Sequence, residues 1–182
     1  RYPVNYTIFI DFMSFDFKNY YIEHRKELFM LLNEGYINIK IIPLVWVKKY
    51  FKDYLYSMHA ANACSAIKKK QPEILLDFLD ALLLNGISEE NAPNFNFAKD
   101  TGRFLAAIAR EAGARSDIIN YISSLGDLDN FGNFLAAQSY ELKDKKLIDK
   151  VPTFYVNERV WNMKGGLPIR DLSKKRKTVN DL

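Results

Sequence analysis

The residues best placed to do chemistry follow the first apolar run. Tyr6-Thr7-Ile8-Phe9-Ile10 leads into Asp11-Phe12-Met13-Ser14-Phe15-Asp16-Phe17-Lys18-Asn19-Tyr20-Tyr21, and a helical pattern begins there. A strand that ends in a tight turn and opens a helix points the first N–H groups of that helix outward, where they favour an anion. Ser14 is the side chain placed to use that field, and no neighbouring base activates its hydroxyl. Asp11, at the end of the strand, reads as a hydrogen-bond acceptor for the turn backbone or for Ser14. A buried carboxyl with a raised pKa is the alternative for the same residue.

A second candidate lies far along the chain. Val151-Pro152-Thr153 opens the run Val-Pro-Thr-Phe-Tyr-Val. An X–Pro bond adopts the cis form at modest cost, and a strand beginning this way can present backbone groups to an extended peptide. Pro152 shaping the fold alone is the competing reading. Phe15, Phe17, Tyr20 and Tyr21 crowd the first turn. Helical spacing sends Tyr20 and Tyr21 inward and leaves Phe15, with Phe17, as a candidate exposed apolar patch beside Pro152.

Other reactive side chains are sparse. Cys64 is the single cysteine and stands among alanines, so it reads as a small buried apolar group, with intermolecular pairing or a sensor thiol as alternatives. It makes no intrachain disulfide and no Cys-x-x-Cys motif. The two histidines, His24 and His59, form no metal-ligand cluster with cysteine or carboxylates, so no metal is expected. Lys68-Lys69-Lys70 and Lys174-Lys175-Arg176-Lys177 read as solvated faces.

The pattern supplies elements to position these residues. Both faces of Thr7–Met13 are largely apolar, as in a central strand. A helix over about 17–33 follows, with Tyr20, Tyr21, Leu28, Leu31 and Leu32 on one stripe; Ser14 or Asp16 can cap it and Gly35 can end it. A second strand runs over 36–42 with Ile37, Ile39 and Ile41 on one face, and Pro43 ends it. Strand, helix, strand makes a βαβ unit with parallel strands. Residues 53–148 read as helical throughout, with Pro72 and Gly86 bounding one helix, further helices over 100–112, from Ser116 to Gly126 and over 130–146. Strands return over 151–156 and about 159–162, joined at Asn157-Glu158 in a candidate hairpin turn. Gly165-Gly166 then form a loop and Pro168 opens a last helix.

Composition bounds the rest. The 182 residues are 48% apolar and 26% charged, enough for one domain with a real core. The net charge of +4 does not call for nucleic acid. No run approaches the roughly 20 apolar residues of a membrane span. The chain opens at Arg1 and reads as a fragment or a mature form; a signal or anchor would lie upstream.

The order βαβ, helices, ββα resembles the thioredoxin fold, and the helices between its halves are what the DsbA-like branch carries. Residues 9–21 look like that family's strand-turn-helix. His59 to Leu83 resembles the start of its helical insertion, Lys150 to Trp161 its cis-proline strand, and Gly165 to Leu172 the entry to its last helix. The resemblance implies two thioredoxin-fold halves, 1–52 and 149–182, around a helical domain, 53–148. It implies that Pro152 is cis and faces the turn, and that the protein works outside the cytoplasm, in the periplasm, cell envelope or secreted.

The chain departs from that family at the centre. Aligned on the turn, Ser14-Phe15-Asp16-Phe17 stands where the family has Cys-Pro-x-Cys. Thiol–disulfide exchange needs an attacking thiolate and a resolving thiol, so the reading is a redox-inactive member without cofactor. Ser14, Phe15, Asp16, Phe17, Val151, Pro152 and Thr153 would form a groove for a peptide or protein partner, supported by Asp11. The alternative is similarity to kappa-class glutathione transferases, in which Ser14 would hydrogen-bond the glutathione thiolate. Asp16 would oppose that anion, and the family's Ser-Pro-x-Ser is absent.

Overall fold

A computed structural model describes residues 3–50, 52–90, 92–124 and 128–161. The first strand, β1 (Val4–Ile10), passes through a turn into helix α1 (Phe15–Asn33), and the chain returns in β2 (Ile37–Pro43). β1 and β2 are parallel, with Val4 against Ile37 and Ile10 against Pro43. Five α-helices then follow: α2 (Tyr54–Lys70), α3 (Leu75–Asn85), α4 (Phe97–Glu111), α5 (Ser116–Ser123) and α6 (Leu128–Asp144); a 3-10 turn over Pro72–Ile74 leads into α3. Strands β3 (Thr153–Val156) and β4 (Arg159–Trp161) complete a sheet of order β2-β1-β3-β4. β1 is therefore central, as its two apolar faces require, and β3 pairs with it antiparallel.

The local chemistry accounts for the boundaries. β1 is shorter at its end than the apolar run, because Asp11 accepts the Met13 N–H (2.8 Å) and the Ser14 N–H donates to the Asp11 carbonyl (2.9 Å). These bonds close a turn and stop the ladder at Ile10. The helix then begins at Phe15, two residues earlier than the sequence pattern places it, with Ser14 as its N-cap. Gly35, at φ +68°, ends that helix. Pro43 is the last residue of β2 rather than the one after it. α4 starts at Phe97 because Asn96 caps it, accepting from the Lys99 N–H at 3.2 Å. Ser116 is the first residue of α5 and not its cap, and α6 spans Leu128–Asp144. The Asn157-Glu158 turn is a two-residue hairpin with both residues at positive φ, 47° and 67°. The glycine loop at 165–166, the last helix from Pro168 and the basic stretch 174–177 fall outside the described residues.

The core joins the sheet to the helices. Tyr6, Ile8 and Ile10 from β1 and Phe154 from β3 are buried against α1, while Tyr56, Phe78, Leu105 and Ile118 fill the helical block. Asp80 of α3 ties that block to α1. It receives a forked pair of bonds from Arg25, at 2.5 and 2.6 Å, and the Tyr21 hydroxyl at 2.5 Å. Among the described residues no helix is long and apolar enough to cross a membrane.

Candidate functional site

The turn after β1 is held by a buried carboxylate. Asp11 is fully buried, and its Oδ1 accepts from the Met13 N–H (2.8 Å) and the Ser57 hydroxyl (2.5 Å). Its Oδ2 accepts from the N–H groups of Trp46 (2.7 Å) and Val47 (2.8 Å). Burial raises its pKa above the ordinary carboxylate range, and these four donors oppose that rise. One side chain thus pins the turn, the segment after β2 and the start of α2. Of the two alternatives the sequence leaves for this carboxylate, the turn backbone is the one it binds; the Ser14 hydroxyl is spent on capping.

Ser14 itself is 4% exposed, and its Oγ accepts from the Phe17 N–H at 3.3 Å. Phe17 is also buried, at 3%, and stacks toward Tyr20 with ring centroids 6.5 Å apart. The expectation that Phe17 stands exposed beside Pro152 is therefore wrong. Its position in the first turn of α1, and the aromatic partner one helical step on, turn it inward. Phe15 is half-buried and Asp16 exposed.

The helix N-terminus does offer a donor to an anion, and the chain supplies the anion itself. The Phe15 N–H donates to Glu89 Oε1 at 3.3 Å, and the Glu89 N–H donates to the Met13 carbonyl at 2.9 Å. The Tyr50 hydroxyl donates to the Glu89 carbonyl (2.7 Å), and Lys18 Nζ donates to the Gly86 carbonyl (2.8 Å). Residues 86–90 therefore lie across the turn. Sequence reasoning missed Glu89: it sits in an acidic loop 74 positions from Phe15, and no local pattern marks that contact.

The facing strand is placed by register. Thr153 pairs with Phe9, and Pro152 stands one step beyond, level with the end of β1. The Val151–Pro152 peptide bond is cis. Pro152 and Thr153 are buried and Val151 half-buried; the Thr153 hydroxyl donates to the Lys150 carbonyl at 2.6 Å. The turn and this strand meet through aromatic packing: Phe17 stacks toward Tyr20, and Tyr20 lies against Phe154 with centroids 4.7 Å apart. Among the described residues no hydrogen bond joins Ser14 or Asp16 to Val151, Pro152 or Thr153.

The remaining reactive groups are quiet. Burial pushes the Cys64 thiol up to about 12, which keeps it protonated at neutral pH. Burial holds His59 down to about 4, so it is neutral. His24 sits half-buried on α1 and packs edge-on against Tyr20.

A parallel βαβ unit, a run of helices and an antiparallel pair opening on a cis-proline together define a thioredoxin fold of the DsbA-like kind, with a helical insertion and no Cys-x-x-Cys. Known structures agree on the fold. MdbA, a thiol-disulfide oxidoreductase from Actinomyces oris, superposes with a TM-score of 0.75 at 15% identity, over 97% of this chain and 80% of that one. Oxidised DsbA from Mycobacterium tuberculosis gives 0.72 at 16% identity, over 96% and 82%. Oxidised BdbD from Bacillus subtilis gives 0.63 at 17% identity, over 98% and 86%. No family model and no curated protein sequence matches the chain.

Proposed function

We propose that this chain is a non-catalytic binding module that holds an extended segment of a partner protein at the cis-proline strand, without exchanging disulfides, and that it works outside the cytoplasm. The observation that carries this reading is the register that sets Pro152 level with the end of β1, beside a turn that holds no cysteine. A similar fold is borne by MdbA, a thiol-disulfide oxidoreductase. Loss of the thiols removes the exchange chemistry and leaves the surface that would hold the polypeptide. Phe15 and Val151, both half-buried, are the apolar side chains available at its rim.

Glutathione-dependent transfer through Ser14 has less support. Its hydroxyl is buried in a helix cap, the neighbouring Phe15 N–H is taken by Glu89, and a thiolate there would face the Glu89 carboxylate.

Amide chemical shifts test the binding reading, with reduced, carboxymethylated ribonuclease as an unfolded polypeptide free of thiols. Saturable shifts at Phe15, Val151 and Thr153 are expected. Shifts confined to other surfaces, or none at millimolar polypeptide, would remove the groove from consideration.

A further inference from the structure

We infer that the partner segment held beside Pro152 is acidic at its flanks and is read by a lysine-rich rim around Trp46 and Val151. This rests on the binding-module reading and names the chemistry of its partner. The rim stands on both sides of the end of β1. On one side the chain leaving β2 keeps contact with the turn: the Leu44 N–H donates to the Ile10 carbonyl at 2.7 Å, and the Trp46 N–H to Asp11 Oδ2 at 2.7 Å. On the other side Pro152 is level with the same end, one strand over. The last turns of α6 close on Trp46. The Ser139 hydroxyl accepts the Val45 N–H at 2.9 Å, and one helical turn later Lys143 Nζ lies 5.6 Å from the centre of the Trp46 ring.

The charges on this rim are uneven. Lys49 is matched by Glu90 and Lys145 by Glu141. Lys48, Lys143, Lys146 and Lys150 are exposed and make no ion pair among the described residues. Against them stand only Asp144 and Asp149, exposed in the same loop. Lys143 suits the last turn of α6, where the helix dipole favours a cation. Lys48, Lys146 and Lys150 lie outside any helix, so the dipole does not account for them. Apolar surface is exposed among these lysines: Leu147 is 50% exposed, and Trp46 and Val151 are half-buried.

That combination sets the occupant. In the turn, Asp16 is exposed and Phe15 half-buried, so the middle of a bound segment is apolar and its carboxylates belong at the flanks. An extended segment crossing the end of β1 spans two strand spacings, about 10 Å, in about three residues. Carboxylates on either side of an apolar centre of that length fall toward Lys150 at one end and Lys143 at the other. Each exposed pair of this kind contributes about threefold to affinity.

Amide and indole N–H shifts of the whole chain test this with a capped heptapeptide, Glu-Glu-Val-Leu-Val-Glu-Glu, and its counterpart carrying Gln at every Glu. The acidic peptide should bind about tenfold more tightly at low salt, moving the Trp46 indole and the Val151 and Thr153 amides together. The preference should vanish at about 1 M salt, where the screening length is about 3 Å. Lys143→Gln combined with Lys150→Gln should erase the preference at low salt while leaving the glutamine peptide's affinity and the melting curve unchanged. Equal affinities for the two peptides overturn the inference and leave the groove reading standing. If neither peptide moves Val151 and Thr153, both fall. The inference is also overturned if phosphatidylglycerol vesicles move the Trp46 indole and the acidic peptide does not, since the rim then faces a lipid surface.

Discussion

At the scale of single residues, the site is governed by groups that are buried and already satisfied. Ser14 and Asp11 sit where a sequence reading would look for chemistry, and both are consumed by holding the turn in shape. Asp11 was legible as an acceptor for the turn backbone, because an acid two residues before an N–H closes an Asx-type turn. Its bonds to Ser57, Trp46 and Val47 were not, since they depend on how α2 and the segment after β2 pack on the turn, 46 and 35 residues along the chain. His59 carries the pH dependence that can be predicted. Its native pKa lies near 4 against an ordinary value of 6.5, because burial penalises the charged ring. The unfolded chain therefore binds the extra proton between those limits. Stability should be full above about pH 6.5 and fall as the pH drops toward 4, by up to about 3 kcal/mol from this group. Urea unfolding of the wild type and of His59→Leu across pH 4–7.5 checks this. The difference between the two curves must slope in that window, and parallel curves would show that His59 is solvated.

At the scale of elements, most of the fold could be read from local pattern. The apolar runs of β1 and β2, the glycine after α1 and the stripe of α3 each follow from residue type and spacing. What shifted were ends, and each shift has a local cause: Asn96 captured the start of α4, and the Asp11 turn cut β1 short. The β3–β4 hairpin shows a local conflict that tertiary pairing overrides. Its turn needs positive φ at both positions, and Glu158 supplies that at 67° with a side chain that disfavours it. Asn157 fits its place better, since its Oδ1 accepts the Asn5 N–H at 3.1 Å and its own N–H donates to the Asn5 carbonyl at 2.9 Å. Replacing Glu158 by glycine removes the left-handed penalty of about 1–2 kcal/mol and adds back about 0.5–1 kcal/mol of unfolded-chain entropy. Glu158→Gly should therefore stabilise the protein by about 0.5–1 kcal/mol, read as a higher urea midpoint at unchanged slope. An unchanged or lower midpoint would mean that the Glu158 side chain makes a contact that outweighs its backbone cost.

At the scale of the whole molecule, the helical block does more than fill the gap between two halves of a thioredoxin fold. It reaches back over the turn through residues 86–90 and lays Glu89 on the N-terminus of α1. Gly86 makes the approach possible: a Cβ there would run into the Leu82 carbonyl and the Tyr56 hydroxyl. Neither contact is visible in a linear reading, because each joins segments that only the packing of α3 against α1 and α2 brings together. This closure bears on reactivity. A thiolate at a helix N-terminus is stabilised by open N–H donors, and here the donor of Phe15 is already bonded to a carboxylate, so this terminus offers an added anion less stabilisation. The one remaining thiol, Cys64, is pushed up to about 12. At pH 8 its thiolate fraction is then roughly three orders of magnitude below that of an ordinary cysteine near 8.5. The folded chain should give no acceleration of insulin reduction by dithiothreitol beyond the uncatalysed rate. Cys64 is half-buried, so a disulfide reagent should label it slowly in the native chain, held back by the scarcity of thiolate, and the labelling should speed up with urea. Rapid labelling of the native chain would place Cys64 at the surface and restore it as a candidate for intermolecular pairing.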